Sequence, residues 1–351
     1  MCKDIVLSVD YHDQNCVIRR FDAANGRDRV VSVATQAERL LAVVDEACAQ
    51  AQRRGGHVIW IMESTTGWAR VKTLLGRRAR VLLANVVQMP LPPKARRKKT
   101  DKIDTKRVLR EYRNGELPLA CGLPAWWRQV RRVVALRENL VNRQTALRNW
   151  INRYLAHETW HDRNNLWTIK ARPRLNAIVA ELPVWDRQVL ACKLGELDLL
   201  RSQTRAVQKE IHQIYKRWPR AQRLAQIDGI NVVSAVSMAA RIGPVGRFAS
   251  ADELIGYAGL APAVRQSDQT RWNGHIGGSG TDRHLRHYVI EATVWARRIP
   301  RYREAYERTV RRRGKKIGRL VVGRMLLRSI YRMLRKAESF VGALTHEEVA
   351  C

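Results

Sequence analysis

The chain has 351 residues, 65 of them Lys or Arg and 32 Asp or Glu, which gives a formal net charge of +33. Hydrophobic residues make up 45% of the sequence, which excludes a disordered basic tail and allows two or three domains with packed cores. Two cations for every anion along the whole chain are typical of proteins that bind nucleic acid. No run approaches the 18 apolar residues that a membrane-spanning helix needs, so we expect no membrane among the partners.

The opening residues MCKDIVLSVDYHD carry charges where a secretion signal needs an apolar run, so export is not expected. The six cysteines are scattered and form no CxxC pair, which argues against a disulfide framework and against a structural zinc site. These features predict a protein of the reducing cytoplasm.

Strand and helix signals alternate over about the first 115 residues. DIVLSVDYHD, NCVIRRFDA and RDRVVSVAT predict three strands, the last two joined by a turn at Asn25 and Gly26. Next comes a predicted helix with Thr35 as its N-cap. It is followed by the strand HVIWIMES, the short helix WARVKTLLGRR, the strand RVLLANVV and a helix from about Thr100. The resulting order, βββαβαβα, is that of the RNase H-like fold and predicts an α/β sheet with helices on its faces. We expect the first strand to be the central one.

Two long helices are predicted next, over Ala125–Leu155 and from about Trp185 to Trp218. Their apolar residues recur at spacings of three and four, which suits an antiparallel stalk, a dimerising coiled coil or the core of a plain bundle. The apolar seam predicted for the first helix consists of Val133, Leu136, Leu140, Leu147, Trp150 and Tyr154. Glu138 is the single acid among its many arginines.

The last third of the chain is predicted to be mostly helical. A helix of small residues lies between Gly229 and Gly243, and a second helix spans ADELIGYAGLAP. AVRQSDQTRWNGHIGGSGTDR has turn residues and no apolar period, so it predicts a loop. The remaining residues predict basic helices, in which five cations surround Gly314: Arg311, Arg312, Arg313, Lys315 and Lys316.

Four carboxylates are candidates for a metal site. Asp10 and Glu63 each end a strongly apolar strand, where an acid is costly unless it is paired or bound to a metal. Asp101 and Asp104 are three residues apart and share one helix face. Together they offer the oxygen ligands that Mg²⁺ or Mn²⁺ prefers, and such a site can act on a phosphate.

A structural explanation is open for the helical pair. Asp104 can pair with Arg107, and Asp101 can cap the helix, since exposed ion pairs are common and contribute little. The two aspartates alone therefore favour neither interpretation, and the acids at the strand ends favour the metal site. Asp13, on the predicted turn, is expected to be solvated.

The motifs SVDYHDQNCVI, MESTTGW, KKTDKIDTKRV, GYAGLAP followed by a Ser, and GKKIGRLVVGRMLLRSIYRML occur in that order from about residue 4 to 340. In this order they resemble the DEDD transposases of bacterial and archaeal insertion sequences, a family that includes Piv-type invertases and recombinases guided by a bridge RNA. The resemblance implies three domains: a RuvC-like (RNase H fold) domain over residues 1–118, a helical coiled-coil linker over 119–220 and a mostly helical transposase domain over 221–345.

The resemblance also implies roles for individual residues. Asp10, Glu63, Asp101 and Asp104 would bind Mg²⁺ (or Mn²⁺), and Ser267 would attack a DNA phosphate to form a phosphoserine intermediate. The tetrad of a neighbouring protomer would complete that site. The sequence departs from the family pattern after the serine, where it has SDQT and SGTDRHLR. Ser279 is therefore a competing nucleophile, and arginines of the same segment would replace lost phosphate contacts.

The expected partners are donor and target double-stranded DNA, a noncoding guide RNA and further copies of the chain, as a dimer or tetramer in a prokaryotic nucleoid. Trp126, Trp127 and Trp272 could stack on RNA bases, although core packing suits the first two better. Alternative functions are a structure-selective RuvC-like nuclease that uses water, a site-specific invertase, and an inactive nucleic-acid-binding protein. The residues predicted to contact nucleic acid are Lys98, Lys99, Lys102, Arg131, Arg132, Arg265, Arg271, Arg283, Arg312, Lys315 and Lys316.

Overall fold

The structure is a computed structural model, and it describes residues 3–64, 67–90, 101–159, 165–267, 270–278, 280–338 and 340. The side chains of Lys102 and of residues 262–275 lie outside this description. The chain divides after Gly122 into two units, residues 1–122 and 123–351. The predicted boundary at 118 falls close to this division, and the separation of a linker (119–220) from a C-terminal domain (221–345) stays a prediction.

Five strands form the sheet of the first unit, in the order β3-β2-β1-β4-β5. The strand β1 is central, pairs antiparallel with β2 and parallel with β4, and the elements follow the predicted order βββαβαβα. The bounds are β1 (Ile5–Tyr11), β2 (Asn15–Asp22), β3 (Asp28–Ala34), α1 (Ala37–Gln52), β4 (Val58–Glu63), α2 (Trp68–Leu75), β5 (Arg80–Ala84) and α3 (Asp101–Arg113).

Each face of this sheet carries its own core. Ile5, Leu7 and Val9 of β1 pack toward α1 and α2. The residue between two of them, Val6, packs on the other face with Val108 of α3. This alternation follows from the period of two in a strand, and it decides which face each later side chain of β1 and β4 can reach.

The predicted N-cap of α1 is wrong. Gln36 occupies that position without a side-chain cap, and the hydroxyl of Thr35 donates instead to the carbonyl oxygen of His12, at 2.7 Å. The backbone amide of Thr35 also donates to Gln14 O, at 2.8 Å. Because the hydroxyl and the amide of Thr35 both donate to carbonyl oxygens of the β1–β2 turn, its side chain is directed away from the helix.

Asp22, at the end of β2, is buried against the C-terminal end of α1. Its carboxylate accepts two hydrogen bonds of 2.9 Å from the guanidinium of Arg54, and further ones from Gln50 Nε2 and the amide of Ala24. The hydrogen bonds from Arg54 lower the pKa of Asp22, in spite of the burial that opposes this shift. The carboxylate therefore ties the outer part of the sheet to α1.

We expect Asp22→Ala to destabilise the first unit by about 1–3 kcal/mol at neutral pH, because it removes charge-assisted hydrogen bonds from buried groups. A lowered pKa in the folded state stabilises the fold above the unfolded pKa of about 3.9. This contribution is lost as the pH falls through the folded value, so the difference between wild type and variant should shrink in acid. Native-state hydrogen exchange of β2 and α1 amides measures both effects.

Asp45→Ala is the matched control. Asp45 lies on α1, the helix whose end Asp22 contacts, and forms a 3.0 Å ion pair with Arg78 in which both side chains are more than half exposed. It should change stability by less than about 0.5 kcal/mol. Equal effects of the two substitutions would contradict the role assigned to Asp22.

Among its described residues, the second unit is helical except for one two-stranded sheet. Its core is formed by the small-residue helix α8 together with apolar side chains of α9, α10 and α11. The bounds are α4 (Ala125–Glu158), α5 (Arg172–Ala180), α6 (Val184–Lys216), α7 (Pro219–Leu224), α8 (Val232–Ile242), α9 (Ala251–Tyr257), β6 (Pro262–Ser267), β7 (Thr270–Ile276), α10 (Arg283–Ala296) and α11 (Pro300–Lys336).

The long helices α4 and α6 pack against each other in antiparallel directions. Gln144 Nε2 donates to Thr204 Oγ1 at 2.6 Å, whereas Tyr154, farther along α4, donates to Asp186, near the beginning of α6, at 2.5 Å. Their shared core is formed mainly by leucines and Ile151. The antiparallel arrangement, one of the predicted alternatives, is therefore formed within a single chain.

The predicted seam of α4 is partly wrong. Leu136 is 50% exposed and Trp150 40% exposed, whereas Glu138 and Gln144 are buried. The buried stripe passes through these two polar residues, because each of them has partners within the second unit. A pattern built only from apolar residues therefore selects neighbours on the wrong side of the helix.

The prediction of a loop over residues 263–283 is wrong for most of its length. β6 and β7 pair antiparallel, with Ser267 opposite Thr270 and Gln266 opposite Arg271. Strand pairing is made by backbone amides and carbonyls, so it does not require the apolar alternation that this segment lacks.

The helix α11 consists of two segments that meet at Gly314, where the backbone has φ +82° and ψ 168°. These angles lie in a region that favours glycine. Within the described ranges, no helix combines the length and the apolar character that crossing a membrane requires.

Candidate functional site

Asp10 and Glu63 lie side by side at the carboxyl ends of two parallel strands. Val9 of β1 pairs with Met62 of β4, and the two acids are the next residues along their strands. Ser8 and Ile61, which precede these acids by two residues in their strands, face α3. Because side chains alternate between the faces of a strand, Asp10 and Glu63 belong to this same face.

The helix α3 brings two further acids to that end of the sheet. Thr105 is buried, and its carbonyl oxygen accepts a 2.9 Å hydrogen bond from Ser8 Oγ of β1. Asp101 lies one helical turn before Thr105, so the contact that fixes the helix also fixes its first turn beside Asp10. Asp104 is half-buried in the same turn.

His12 lies between the two nearest carboxylates and was not recognised in the sequence. Its Nε2 is 3.4 Å from Asp10 Oδ1 and 3.6 Å from Asp101 Oδ2. One ligating atom from each of Asp10, His12 and Asp101 lies within 4.8 Å of the others. The spacing of two residues from Asp10 was the available signal, but His12 follows the strand, where alternation no longer predicts the direction of a side chain.

The electrostatics of Asp10 fit a site for a cation. Burial raises the pKa of Asp10 above its ordinary value, the carboxylates of Asp101 and Asp104 raise it further, and His12 opposes the shift. Carboxylates that destabilise one another's charge are stabilised by a divalent ion, and oxygen donors are the ligands of Mg²⁺ and Mn²⁺. The donor set therefore fits the expected metal, and the structure places all four predicted acids at one end of the sheet. Asp13 is exposed, as predicted.

Ser267 is the last residue of β6, and its backbone is held by pairing with Thr270. Its side chain, those of Arg265, Arg271 and Trp272, and Ser279 lie outside the described residues. The GYAGLAP motif before β6 has a defined role at Gly259, which has φ +66° and whose carbonyl accepts a 3.4 Å hydrogen bond from Arg286 of α10. A Cβ atom there would lie 3.0 Å from the side chain of Thr281. The glycine thus allows the chain to enter the hairpin close to α10.

A buried charge network holds the segment that follows the hairpin. Arg241, at the end of α8, pairs with Glu138 of α4 and donates to both carboxylate oxygens of Asp282 at 3.1 Å. Asp282 also caps α10 by accepting from the amides of His284 and Leu285. Glu138 of the basic helix α4 therefore fixes the positions of α8 and the start of α10.

His284 belongs to this network. Its Nδ1 is 3.2 Å from Glu138 Oε2, and Tyr288 donates to Oε1 of the same carboxylate at 3.2 Å. Burial lowers the pKa of His284, although Glu138 favours the charged form. The ring therefore has a structural role within this network.

All but one of the described cations that were predicted to bind nucleic acid are exposed. Arg131 is the exception, because its Nε and Nη2 donate to the carbonyl oxygens of Ala240 and Arg241, at 2.8 and 2.7 Å. Arg131 thus caps the end of α8, and we revise its assignment from a nucleic-acid contact to a structural residue. The exposed cations are Arg132, Arg283, Arg312, Lys315 and Lys316. Lys98 and Lys99 lie outside the described residues, as does the side chain of Lys102.

Trp126 and Trp127 pack edge-to-face on Trp218, with ring centroids 4.7 and 5.0 Å away. The core-packing role predicted for both is confirmed for Trp127, which packs against the core of the second unit. Trp126 is 41% exposed.

Two comparisons with known proteins show similarity to transposases. The chain is 25% identical over 285 residues to "Putative transposase y4qE" of Sinorhizobium fredii (strain NBRC 101917 / NGR234), an alignment that covers 79% of this chain and 68% of that protein. Residues 221–307 match the family model described as Transposase IS116/IS110/IS902 family. This part of the second unit runs from α7 into α11 and contains the β6–β7 hairpin with Ser267, and it is similar to the transposase domain of that family.

Proposed function

We propose that this protein is the transposase of an insertion sequence, a recombinase that cuts and rejoins double-stranded DNA. The observation that carries the proposal is that Asp10 and Glu63 end two neighbouring parallel strands, and that the first turn of α3, which carries Asp101 and Asp104, brings Asp101 within ligand distance of Asp10. The match of residues 221–307 to a transposase family supports it independently, since the acids lie outside that range. The strand order with β1 in the centre supports an RNase H/RuvC-like assignment for the first unit.

The four acids would hold Mg²⁺ or Mn²⁺ in this site. Such an ion polarises a phosphate and stabilises the negative charge that develops during phosphoryl transfer. The chain supplies the positions of the ligands: β1 fixes Asp10, β4 fixes Glu63, and the Ser8–Thr105 contact fixes the first turn of α3. The side chain of Asp10 is 21% exposed, so its carboxylate has already lost part of its hydration and remains accessible to an ion.

Ser267 is the proposed nucleophile. Its Oγ would form a bond to a DNA phosphorus while the bond from phosphorus to one deoxyribose oxygen breaks. The proton of the serine hydroxyl ends on the departing deoxyribose oxygen. The reverse reaction with the hydroxyl of another strand joins the new ends and regenerates serine. The number of phosphodiester bonds is conserved, so the exchange needs neither ATP nor net hydrolysis.

Guidance by a noncoding RNA and assembly of a dimer or tetramer are part of the proposal and rest on the resemblance to bridge-RNA-guided recombinases. The exposed cations of α4, α10 and α11 support binding to a polyanion.

The proposal is tested with purified protein, a plasmid carrying donor and target sites, transcripts from the flanking DNA, and Mg²⁺. We expect recombined plasmids, and no products when EDTA replaces Mg²⁺. The acidic site alone would also suit a structure-selective nuclease that uses water. Linear or nicked plasmid without joined products would support that alternative, and DNA binding without any strand breakage would support an inactive binding protein.

A further inference from the structure

His12 is held at the edge of the acidic site by the local backbone. Its carbonyl oxygen accepts the hydroxyl of Thr35 at 2.7 Å, and Thr35 Oγ1 also lies 3.2 Å from Cys16 Sγ of β2. The imidazole itself is more than half exposed and reaches back over the end of β1 toward α3. The position of the ring is therefore set by a fixed turn, and the ring remains accessible from solvent.

The contacts of the ring are too long for strong hydrogen bonds. The distances from Nε2 to Asp10 Oδ1 and Asp101 Oδ2, 3.4 and 3.6 Å, exceed the usual N–H···O range of about 2.7–3.2 Å. Neighbouring ligands of an octahedral ion are about 3 Å apart, because each bond is about 2.1 Å long. The imidazole nitrogen therefore needs to approach each carboxylate oxygen by only about half an ångström to share an ion with it. The three ligating atoms already lie within 4.8 Å of one another.

The kind of donor determines which ion such a site prefers. Mg²⁺ is held by oxygen atoms and keeps several water molecules, whereas imidazole nitrogen suits first-row transition metals. Two carboxylates and one imidazole are thus a mixed donor set that favours a transition ion more than a purely carboxylate site does. The alternative role for His12 is an ion-pair partner of the two aspartates that is displaced when a metal binds.

We propose that His12 is a direct metal ligand through Nε2 and that it shifts the preference of the site from Mg²⁺ toward Mn²⁺. This inference rests on the proposed metal site and adds to it a third residue type, histidine beside Asp and Glu, and a metal specificity. The acids alone provide for Mg²⁺, and His12 determines how much better Mn²⁺ binds.

The test uses the full-length protein with Mn²⁺ as the probe, and electron spin echo envelope modulation as the readout. Wild type should show the ¹⁴N modulation of a directly coordinated imidazole, and His12→Ala should lack it while still binding Mn²⁺. By calorimetry, His12→Ala should weaken Mn²⁺ binding at least about tenfold, as losing one ligand or its support does. Mg²⁺ binding should change less than about threefold.

His57→Ala is the matched control. His57 is also exposed, belongs to the same unit and precedes β4, at the opposite end of the strand from Glu63. It should leave both the ¹⁴N modulation and the Mn²⁺ affinity unchanged.

The outcomes separate this inference from the proposed function. Mn²⁺ that binds wild type without ¹⁴N modulation, or modulation that persists in His12→Ala, would overturn the role of His12 and leave the carboxylate site intact. Mn²⁺ binding that is unaffected by Asp10→Asn would instead overturn the metal site itself, and with it the inference.

Discussion

Asp10→Asn should slow DNA cutting and joining at least about 10³-fold. The substitution keeps the size of the side chain and removes one charged oxygen ligand from the acidic site. Metal ions contribute several kcal/mol of transition-state stabilisation, and each 1.36 kcal/mol corresponds to a factor of ten in rate. The plasmid assay with Mg²⁺ measures the loss as the initial rate at which recombined product appears.

Asp10→Asn should not destabilise the metal-free protein. The pKa of Asp10 is raised in the fold, so the ionised carboxylate destabilises the metal-free protein above that pKa and the neutral form does not. Asp10→Asn should therefore leave the unfolding temperature of the metal-free protein unchanged or raise it. A loss of activity together with a loss of stability would indicate misfolding, and the metal site would then lack support.

Asp13→Asn is the control for this prediction. Asp13 is an exposed acid three residues away, and its substitution should change the rate by less than about twofold, as expected for a surface residue away from the reaction. Normal recombination by Asp10→Asn would exclude the proposed site.

Ser267→Ala should abolish both the covalent protein–DNA adduct and the joined product, while DNA affinity remains within about twofold of wild type. The hydroxyl oxygen is the atom that forms the bond to phosphorus, so its removal leaves no nucleophile at that position. Denaturing gels with end-labelled DNA detect the adduct, and a binding titration at fixed salt measures the affinity.

Ser279→Ala is the decisive comparison, because Ser279 is the other serine of the same segment. The Ser279→Ala variant should still form the covalent protein–DNA adduct. An adduct that disappears in Ser279→Ala and persists in Ser267→Ala would move the nucleophile to Ser279. Strand cutting that is indifferent to both substitutions would support hydrolysis by a nuclease.

The sheet of the first unit was predictable because β1 and β4 are continuous apolar runs and β2 alternates between buried and more exposed residues. The acids at the ends of β1 and β4 were predictable for the same reason, since a carboxylate at the end of a buried run needs a partner. His12 was missed because it follows the strand, and its direction depends on a hydrogen bond from Thr35, a residue 23 positions away. Contacts of this kind leave no periodic signal in the sequence.

The errors in the second unit have a common physical origin. Glu138 was interpreted as an isolated acid in a basic helix, although its partners, Arg241 and His284, come from more than 100 residues later. The β6–β7 hairpin was missed because backbone pairing stabilises it and its sequence has no alternation. In both cases the deciding interaction joins polar groups, and the spacing of apolar residues in the sequence does not indicate such interactions.

The break at Gly314 gives the basic cluster of α11 an internal polarity. Arg311, Arg312 and Arg313 end one helical segment, where positive charge is favourable beside the partial negative charge of the exposed carbonyls. Lys315 and Lys316 begin the next segment, where the amides already carry partial positive charge, so each lysine there costs about 0.3–1 kcal/mol. Five adjacent cations thus contribute with opposite signs to the stability of the helices that carry them.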